Sequence, residues 1–154
     1  MFEISRLIIA KWNMENTSKP LILLVEDSAT IRAFYKKVLE TAGFEVVEAE
    51  TGEQGWVAAY ERIPQLICLD MILPDIHGLE VLKKIRANNV TKAIPVLVLT
   101  TLKDFGDVQK AINLGANYYA IKGSDSPEKL LGMIDKLLKR VPSKGSPDKA
   151  SPKA

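Results

Sequence analysis

Four short apolar runs in this 154-residue chain end in residues able to do chemistry. LILLV (21–25) runs into Glu26-Asp27, LICL (66–69) into Asp70, VLVL (96–99) into Thr100, and NYYAI (117–121) into Lys122. If these ends meet, three carboxylates, one hydroxyl and one ammonium share a pocket. Like charges raise one another's pKa and resist joint ionisation unless a cation is present. One lysine does not balance three acids, so the missing charge is most simply a hard divalent cation held by oxygens. Mg2+ suits one or two carboxylates plus waters and a phosphate. No Cys/His cluster exists for a softer metal, because His77 and Cys68 stand alone in their types. A carboxylate can also attack phosphorus and form an acyl phosphate. Asp70 is the best-placed nucleophile. The metal and Lys122 would then neutralise phosphoryl oxygens, and the Thr100 hydroxyl could hydrogen-bond the attached group. Glu26 and Asp27 read as metal-holding groups rather than acid–base catalysts.

Each of these residues has a plainer explanation, since polar residues often close strands; it is their combination that carries weight. His77 reads as a surface loop residue rather than a catalytic base. Cys68, inside an apolar run, reads as a small core residue rather than a nucleophile.

The runs themselves are short and continuously apolar, which fits strands buried on both faces. A helical pattern follows each one. After LILLV, Ile31, Phe34, Tyr35, Val38 and Leu39 recur at helical spacing, and Gly43 sits where a left-handed stop is wanted. FEVVEA (44–49) makes a second strand, followed by a helix carrying Trp56, Ala59 and Tyr60. Pro74 and Gly78 break the chain after Asp70, before a helix with Leu79, Leu82 and Ile85 on one face. Phe105, Val108, Ala111 and Ile112 predict a fourth helix, stopping at Gly115. Ser126 and Pro127 open the last, whose stripe is Leu130, Ile134, Leu137, Leu138 and Val141. Five strand–helix units predict an α/β fold, a doubly wound parallel sheet in the order 2-1-3-4-5. Ligands in such sheets bind beyond the carboxyl ends of the strands, where the order reverses, here between strands one and three.

Composition sets outer limits. Net charge is +2, from 21 basic and 19 acidic residues, so bulk electrostatic binding to nucleic acid or membrane is not expected. A single cysteine rules out a disulfide within the chain and fits a reducing, cytoplasmic setting. No apolar run approaches the roughly 20 residues of a membrane-spanning helix. Residues 1–18 read as a mobile N-terminal extension, with a short amphipathic helix (Ile4, Ile8, Trp12) as the alternative, and Met14 is a second candidate start. Residues 19–141 form the domain, and the Pro/Ser/Lys-rich 142–154 reads as a disordered tail.

LILLVEDS, LDMILPDIHG, VLVLTT and YYAIK, in this order and spacing, resemble the receiver domain of two-component response regulators, the CheY-like family, over about residues 20–141. The resemblance implies a flavodoxin-like (βα)5 fold with Asp70 as phosphoacceptor. It implies that Asp27, Asp70 and the main-chain carbonyl of Ile72 ligate Mg2+, with Glu26 acting through water. Thr100 matches the switch hydroxyl, Tyr119 the aromatic switch and Lys122 the family's lysine. The expected partners are a sensor histidine kinase or phosphotransfer protein upstream and a protein target downstream, met through helix 4, strand 5 and helix 5. The chain is expected to act alone, as a monomer or phosphorylation-dependent dimer, with chemistry only on its own aspartate. A binding-only pseudo-receiver and a fragment of a longer regulator are the alternatives. A flavodoxin would want a neutral phosphate loop in place of Glu26-Asp27, and an aspartate-nucleophile phosphatase a second Asp where Ile72 stands. Two departures from the family pattern are expected to matter. Gly123 replaces the usual proline after the lysine, which predicts a more mobile loop. Ile72 and Leu102 are apolar where polar groups are common, and are expected to hinder an attacking water.

Overall fold

In the computed structural model, which describes residues 19–139, the apolar runs become parallel strands of one sheet. β1 (Leu21–Val25), β2 (Glu45–Ala49), β3 (Leu66–Asp70), β4 (Val96–Thr100) and β5 (Tyr118–Ile121) lie in the order β2-β1-β3-β4-β5, as the sequence predicts. β3 and β4 are buried along their whole length, and β1 from its second residue, which is why these runs are continuously apolar. β2, at one edge, keeps Glu45 and Glu48 exposed.

The helices are α1 (Ala29–Thr41), α2 (Gly52–Arg62), α3 (Gly78–Ala87), α4 (Val108–Asn113) and α5 (Pro127–Leu137). Alternate strand residues point to opposite faces, so the sheet separates two cores. Leu23, Val25, Ile67, Leu69, Val96 and Val98 pack with Ala59 of α2, Val81, Leu82 and Ile85 of α3, and Ala111 of α4. Ile22, Leu24, Cys68, Leu97 and Leu99 pack with Tyr35 and Leu39 of α1 and Leu130 and Ile134 of α5. Each such aliphatic side chain contributes about 1.5–3 kcal/mol by leaving water. Cys68 lies wholly in the second core, where burial pushes its thiol up to about 12, so it is inert at neutral pH.

The punctuation is local. Ser28, Thr51 and Ser126 accept hydrogen bonds from the backbone N–H of Ile31, Gln54 and Lys129, capping α1, α2 and α5. Gly43, at φ +99°, ends α1 in a conformation that costs other residues strain.

Two expectations need correction. Phe34 lies on the α1 pattern but is exposed, its ring edge-on to Tyr35 at 5.2 Å. The helix expected to carry Phe105 begins later: Phe105–Asp107 is a 3-10 turn, α4 starts at Val108, and Phe105 and Ile112 are exposed. Thr101 and Asp104 explain the delay. The Thr101 hydroxyl donates to the Asp104 carboxylate at 2.8 Å and accepts from its backbone N–H at 3.2 Å, closing a turn before the helix can nucleate. The extension 1–18, Val141 and the tail 142–154 lie outside the described residues. No helix among the described residues is long and apolar enough to cross a membrane.

Candidate phosphoacceptor and metal site

Register levels the strand ends. Val25 lies beside Leu69, Asp70 beside Leu99, and Thr100 beside Ile121, so the residues closing β1, β3, β4 and β5 share one rim of the sheet. Glu26 extends β1 by one hydrogen bond, its N–H donating to the Ala49 carbonyl at 3.0 Å. Its side chain folds into the protein, 1% exposed. One carboxylate oxygen accepts from Lys122 Nζ at 2.9 Å, and the other accepts from the Ser28 N–H at 3.0 Å. Asp70, 3% exposed, accepts from the same ammonium at 2.9 Å. Asp27 is exposed at the mouth. Glu26, Asp27 and Asp70 each offer one oxygen, and these oxygens all lie within 4.8 Å of one another.

The electrostatics follow from this crowding. Burial pushes the Asp70 carboxyl up to about 6; Lys122 opposes the rise and the neighbouring Glu26 adds to it. Burial pulls the Lys122 ammonium down, but its bonds to Glu26 and Asp70 outweigh this and hold it above its ordinary value. A single buried ammonium thus serves two carboxylates while a third stands at the entrance. All available ligands are oxygens, the donor set of a hard cation.

Among the described residues, Thr100 and Tyr119, the expected switch residues, make no hydrogen bond to Asp70. Thr100 is 1% exposed, and its hydroxyl donates to the Thr101 carbonyl at 3.2 Å. Tyr119 is half-buried, with the Phe105 ring edge-on at 5.5 Å. Ile72 and Leu102, two residues beyond Asp70 and Thr100, have exposures of 46% and 69%. Among the described residues, no hydrogen bond uses the Ile72 carbonyl.

Several supports were not evident from the sequence. Arg32 donates to the Glu26 carbonyl at 2.8 Å and the Asp27 carbonyl at 3.4 Å, while its guanidinium pairs with Glu48 and Glu50. It ties the acid-bearing loop to the end of β2. Asp75 accepts from the N–H groups of Gly52 and Glu53 at 2.7 and 2.9 Å, anchoring the loop after Asp70 on the start of α2. Gly78 must be glycine, since a Cβ there would lie 2.5 Å from the Asp70 carbonyl oxygen. His77 is more than a surface residue. Its Nδ1 accepts from the Leu79 N–H at 3.0 Å, capping α3, and its Nε2 meets Asp107 at 3.1 Å. Its place immediately before a helix, where an acceptor is wanted, was the available signal.

Comparisons with known proteins identify relatives of the domain as a whole. Residues 22–135 match the response regulator receiver domain family. The phosphate regulon transcriptional regulatory protein PhoB of Pseudomonas aeruginosa is 33% identical over 120 residues, 78% of this chain and 52% of its own length. The DNA-binding dual master transcriptional regulator RpaA of Synechocystis is 36% identical over 122 residues, covering 79% and 50% respectively. The chain therefore spans about half the length of the curated relatives it matches. Among solved structures, a CheY-like response regulator receiver domain protein from Methanospirillum hungatei aligns at a TM-score of 0.73 and 29% identity, covering 79% of this chain and 95% of that one. Chemotaxis protein CheY4 of Vibrio cholerae aligns at 0.71 and 29% identity, covering 78% and 99%.

Proposed function

The chain belongs to the response regulator receiver domain family, and from that premise we propose that it is a phosphorylation-driven switch whose phosphoacceptor is Asp70. One observation carries this reading: the buried Asp70 carboxylate shares Lys122 with Glu26 and lies within reach of a third acid. The donor set fits Mg2+. Asp27, Asp70 and the Ile72 carbonyl would hold it, with Glu26 acting through water. When bound, it supplies positive charge where phosphoryl oxygens become most negative.

The remaining steps belong to the chain's own residues. An Asp70 oxygen forms a bond to phosphorus as the donor's phosphorus–nitrogen bond breaks, and the electron pair leaves with the donor imidazole of a histidine kinase or phosphotransfer protein. Lys122 keeps one contact with Glu26 and stabilises the incoming charge. The Thr100 hydroxyl gives up its bond to the Thr101 carbonyl and donates to the phosphoryl group. Tyr119 moves into the space Thr100 leaves, which alters the surface of α4, β5 and α5 offered to a protein target. Both arrangements pre-exist, and the new charge shifts their populations. Ile72 and Leu102 limit access of the water that would hydrolyse the acyl phosphate.

The site does its chemistry on itself, so the protein is a signalling module, not an enzyme. The half-length match to transcriptional regulators favours a second reading of context, in which the chain is the receiver part of a longer regulator. The same site serves either. Incubation with a small phosphodonor and Mg2+, followed by intact mass measurement, is expected to show one added phosphoryl group in the wild type and none in Asp70→Asn. No gain in the wild type, as for a binding-only pseudo-receiver, or a gain that persists in Asp70→Asn, rejects the reading.

A further inference from the structure

Among the described residues, Lys122, directly after β5, is the side chain that joins the end of that strand to Glu26 and Asp70, so whatever fixes its backbone fixes the site. On one side that backbone is held by the sheet: the Lys122 N–H donates to the Thr100 carbonyl at 2.7 Å. A planar trans peptide points its C=O and N–H in opposite directions. With the Lys122 N–H turned towards β4, the Ile121 carbonyl faces the open edge of the sheet, where β5 has no neighbouring strand. Unpaired groups at an edge ordinarily go to water or invite another strand. Here they are closed internally. The Ile121 carbonyl accepts from the Ser124 N–H at 3.1 Å and the Asp125 N–H at 2.9 Å. The Ile121 N–H donates to the Asp125 carboxylate at 2.7 Å. The other Asp125 oxygen accepts from Lys129 Nζ at 3.0 Å, and the Asp125 side chain is only 14% exposed.

The chain can turn back this tightly because Gly123 adopts φ +82°, a conformation glycine enters without the steric cost met by other residues. Gly123, standing where the family usually has proline, sits inside this hydrogen-bonded turn. It permits a turn that Asp125 locks.

We propose that Asp125 is the positioning residue for Lys122, a side-chain acceptor that stands in for a missing strand at the end of β5 and aims the ammonium at Glu26 and Asp70. The reaction in which Lys122 takes part rests on the function proposed above, whereas the clamp itself does not. It is the acceptor oxygen on the Ile121 N–H that does the positioning; the ion pair with Lys129 is secondary.

The test uses the full chain and two readouts. The first is the side-chain 15N ammonium signal of Lys122, which reports its bonds to Glu26 and Asp70 without any phosphorylation. The second is the rate of phosphoryl gain from a small phosphodonor with Mg2+. In Asp125→Ala the Lys122 signal is expected to move or to exchange rapidly with water, with the backbone amide spectrum outside residues 121–129 unchanged. The rate should fall about tenfold to a hundredfold, the scale of a misplacement of about 1 Å. Asp125→Asn, which keeps an acceptor oxygen, and Lys129→Ala, which keeps the carboxylate, are expected to match the wild type in both readouts. An unchanged Lys122 signal in Asp125→Ala overturns the proposal. So does an equal loss in Asp125→Asn, which also decides the matter if the alanine variant does not fold. A wild type with the bonded Lys122 signal and no phosphoryl gain removes the proposed reaction and leaves the clamp standing.

Discussion

The two ends of the sheet handle buried charge in opposite ways. At the carboxyl ends, Glu26 and Asp70 share one ammonium with Asp27 exposed beside them, and the Asp70 carboxyl is forced up to about 6. At the amino ends, the last turn of α3 sends Arg86 into a nest of neutral oxygens. Its guanidinium donates to the Gly115 carbonyl twice (3.1 and 2.8 Å), to the carbonyls of Lys92 (3.1 Å) and Ile94 (2.7 Å), and to Asn117 Oδ1 (3.0 Å). Each of the five N–H groups of an arginine thus has an acceptor. Asn117 in turn accepts from the Val96 N–H at the start of β4. Burial lowers the Arg86 pKa, yet the surrounding dipoles satisfy the charge without an acid. The physical problem is the same, since a desolvated charge needs partners. One end solves it with neutral backbone and side-chain oxygens. The other leaves a deficit of positive charge, which a ligand can fill.

Perturbing the two ends therefore has opposite consequences. The largest effect is expected from Arg86→Ala, which removes the donors from the part-buried Gly115 and Ile94 carbonyls and cuts the tie between α3, β4 and the loop before β5. Denaturant unfolding should show a loss of about 3–5 kcal/mol, while the fraction that stays folded still accepts a phosphoryl group on Asp70. A loss below about 1 kcal/mol would mean that the amino-end nest is ornamental.

At the other end, Asp70→Asn is expected to stabilise the protein at pH 7 without Mg2+, by about 1–3 kcal/mol. The sign follows from the direction of the shift. An acid raised from 3.8 to about 6 binds more protons when folded. Its favourable contribution is complete below pH 3.8 and lost as pH rises through about 6. Unfolding curves of wild type and variant should therefore converge near pH 3.5 and separate between about pH 4 and 6. Lys122, with its pKa raised above 10.5, stays protonated throughout that window and adds no slope there. Added Mg2+ should narrow the gap at pH 7, because a cation relieves the deficit only when the Asp70 carboxylate is present. A variant no more stable than the wild type at pH 7 would break the comparison at this end.

The smallest effect concerns the rim. Ile72→Asn exchanges an exposed apolar side chain for one that can hold a water, and is expected to speed spontaneous dephosphorylation a few-fold, about 1 kcal/mol of barrier, with stability unchanged. Loss of radiolabel from purified phosphoprotein measures it. An unchanged rate removes Ile72 from any role in phosphoryl lifetime.

Much of this was legible in the chain itself. Residues 66–69 and 96–99 announce central strands because a parallel strand covered on both faces has no polar side to show. Asp70, Thr100 and Lys122 stand out because each follows such a run directly. The misreadings have equally specific causes. Phe34 obeys the α1 periodicity but projects past the edge of the core, since spacing reports which face a residue is on and not how far that face is covered. The 3-10 turn at Phe105 arises from the Thr101–Asp104 hydrogen bonds, which compete with the helix and leave the apolar pattern intact. His77 was hidden because a cap is recognised by its acceptor atom, and imidazole is an uncommon one.

What the sequence determined by itself was local and periodic: where strands and helices form, which faces are apolar, and which charged residues stand at strand ends. Tertiary structure alone decided the pairings. Lys122 meets Glu26 across 96 residues, Arg86 meets Gly115 across 29, and Asp125 turns back onto Ile121 only because β5 lies at the edge of the sheet. The reason is physical. Propensity and hydrophobic period act over a few residues, whereas a hydrogen bond to a buried charge depends on which strands become neighbours, and that is settled only when the two cores close.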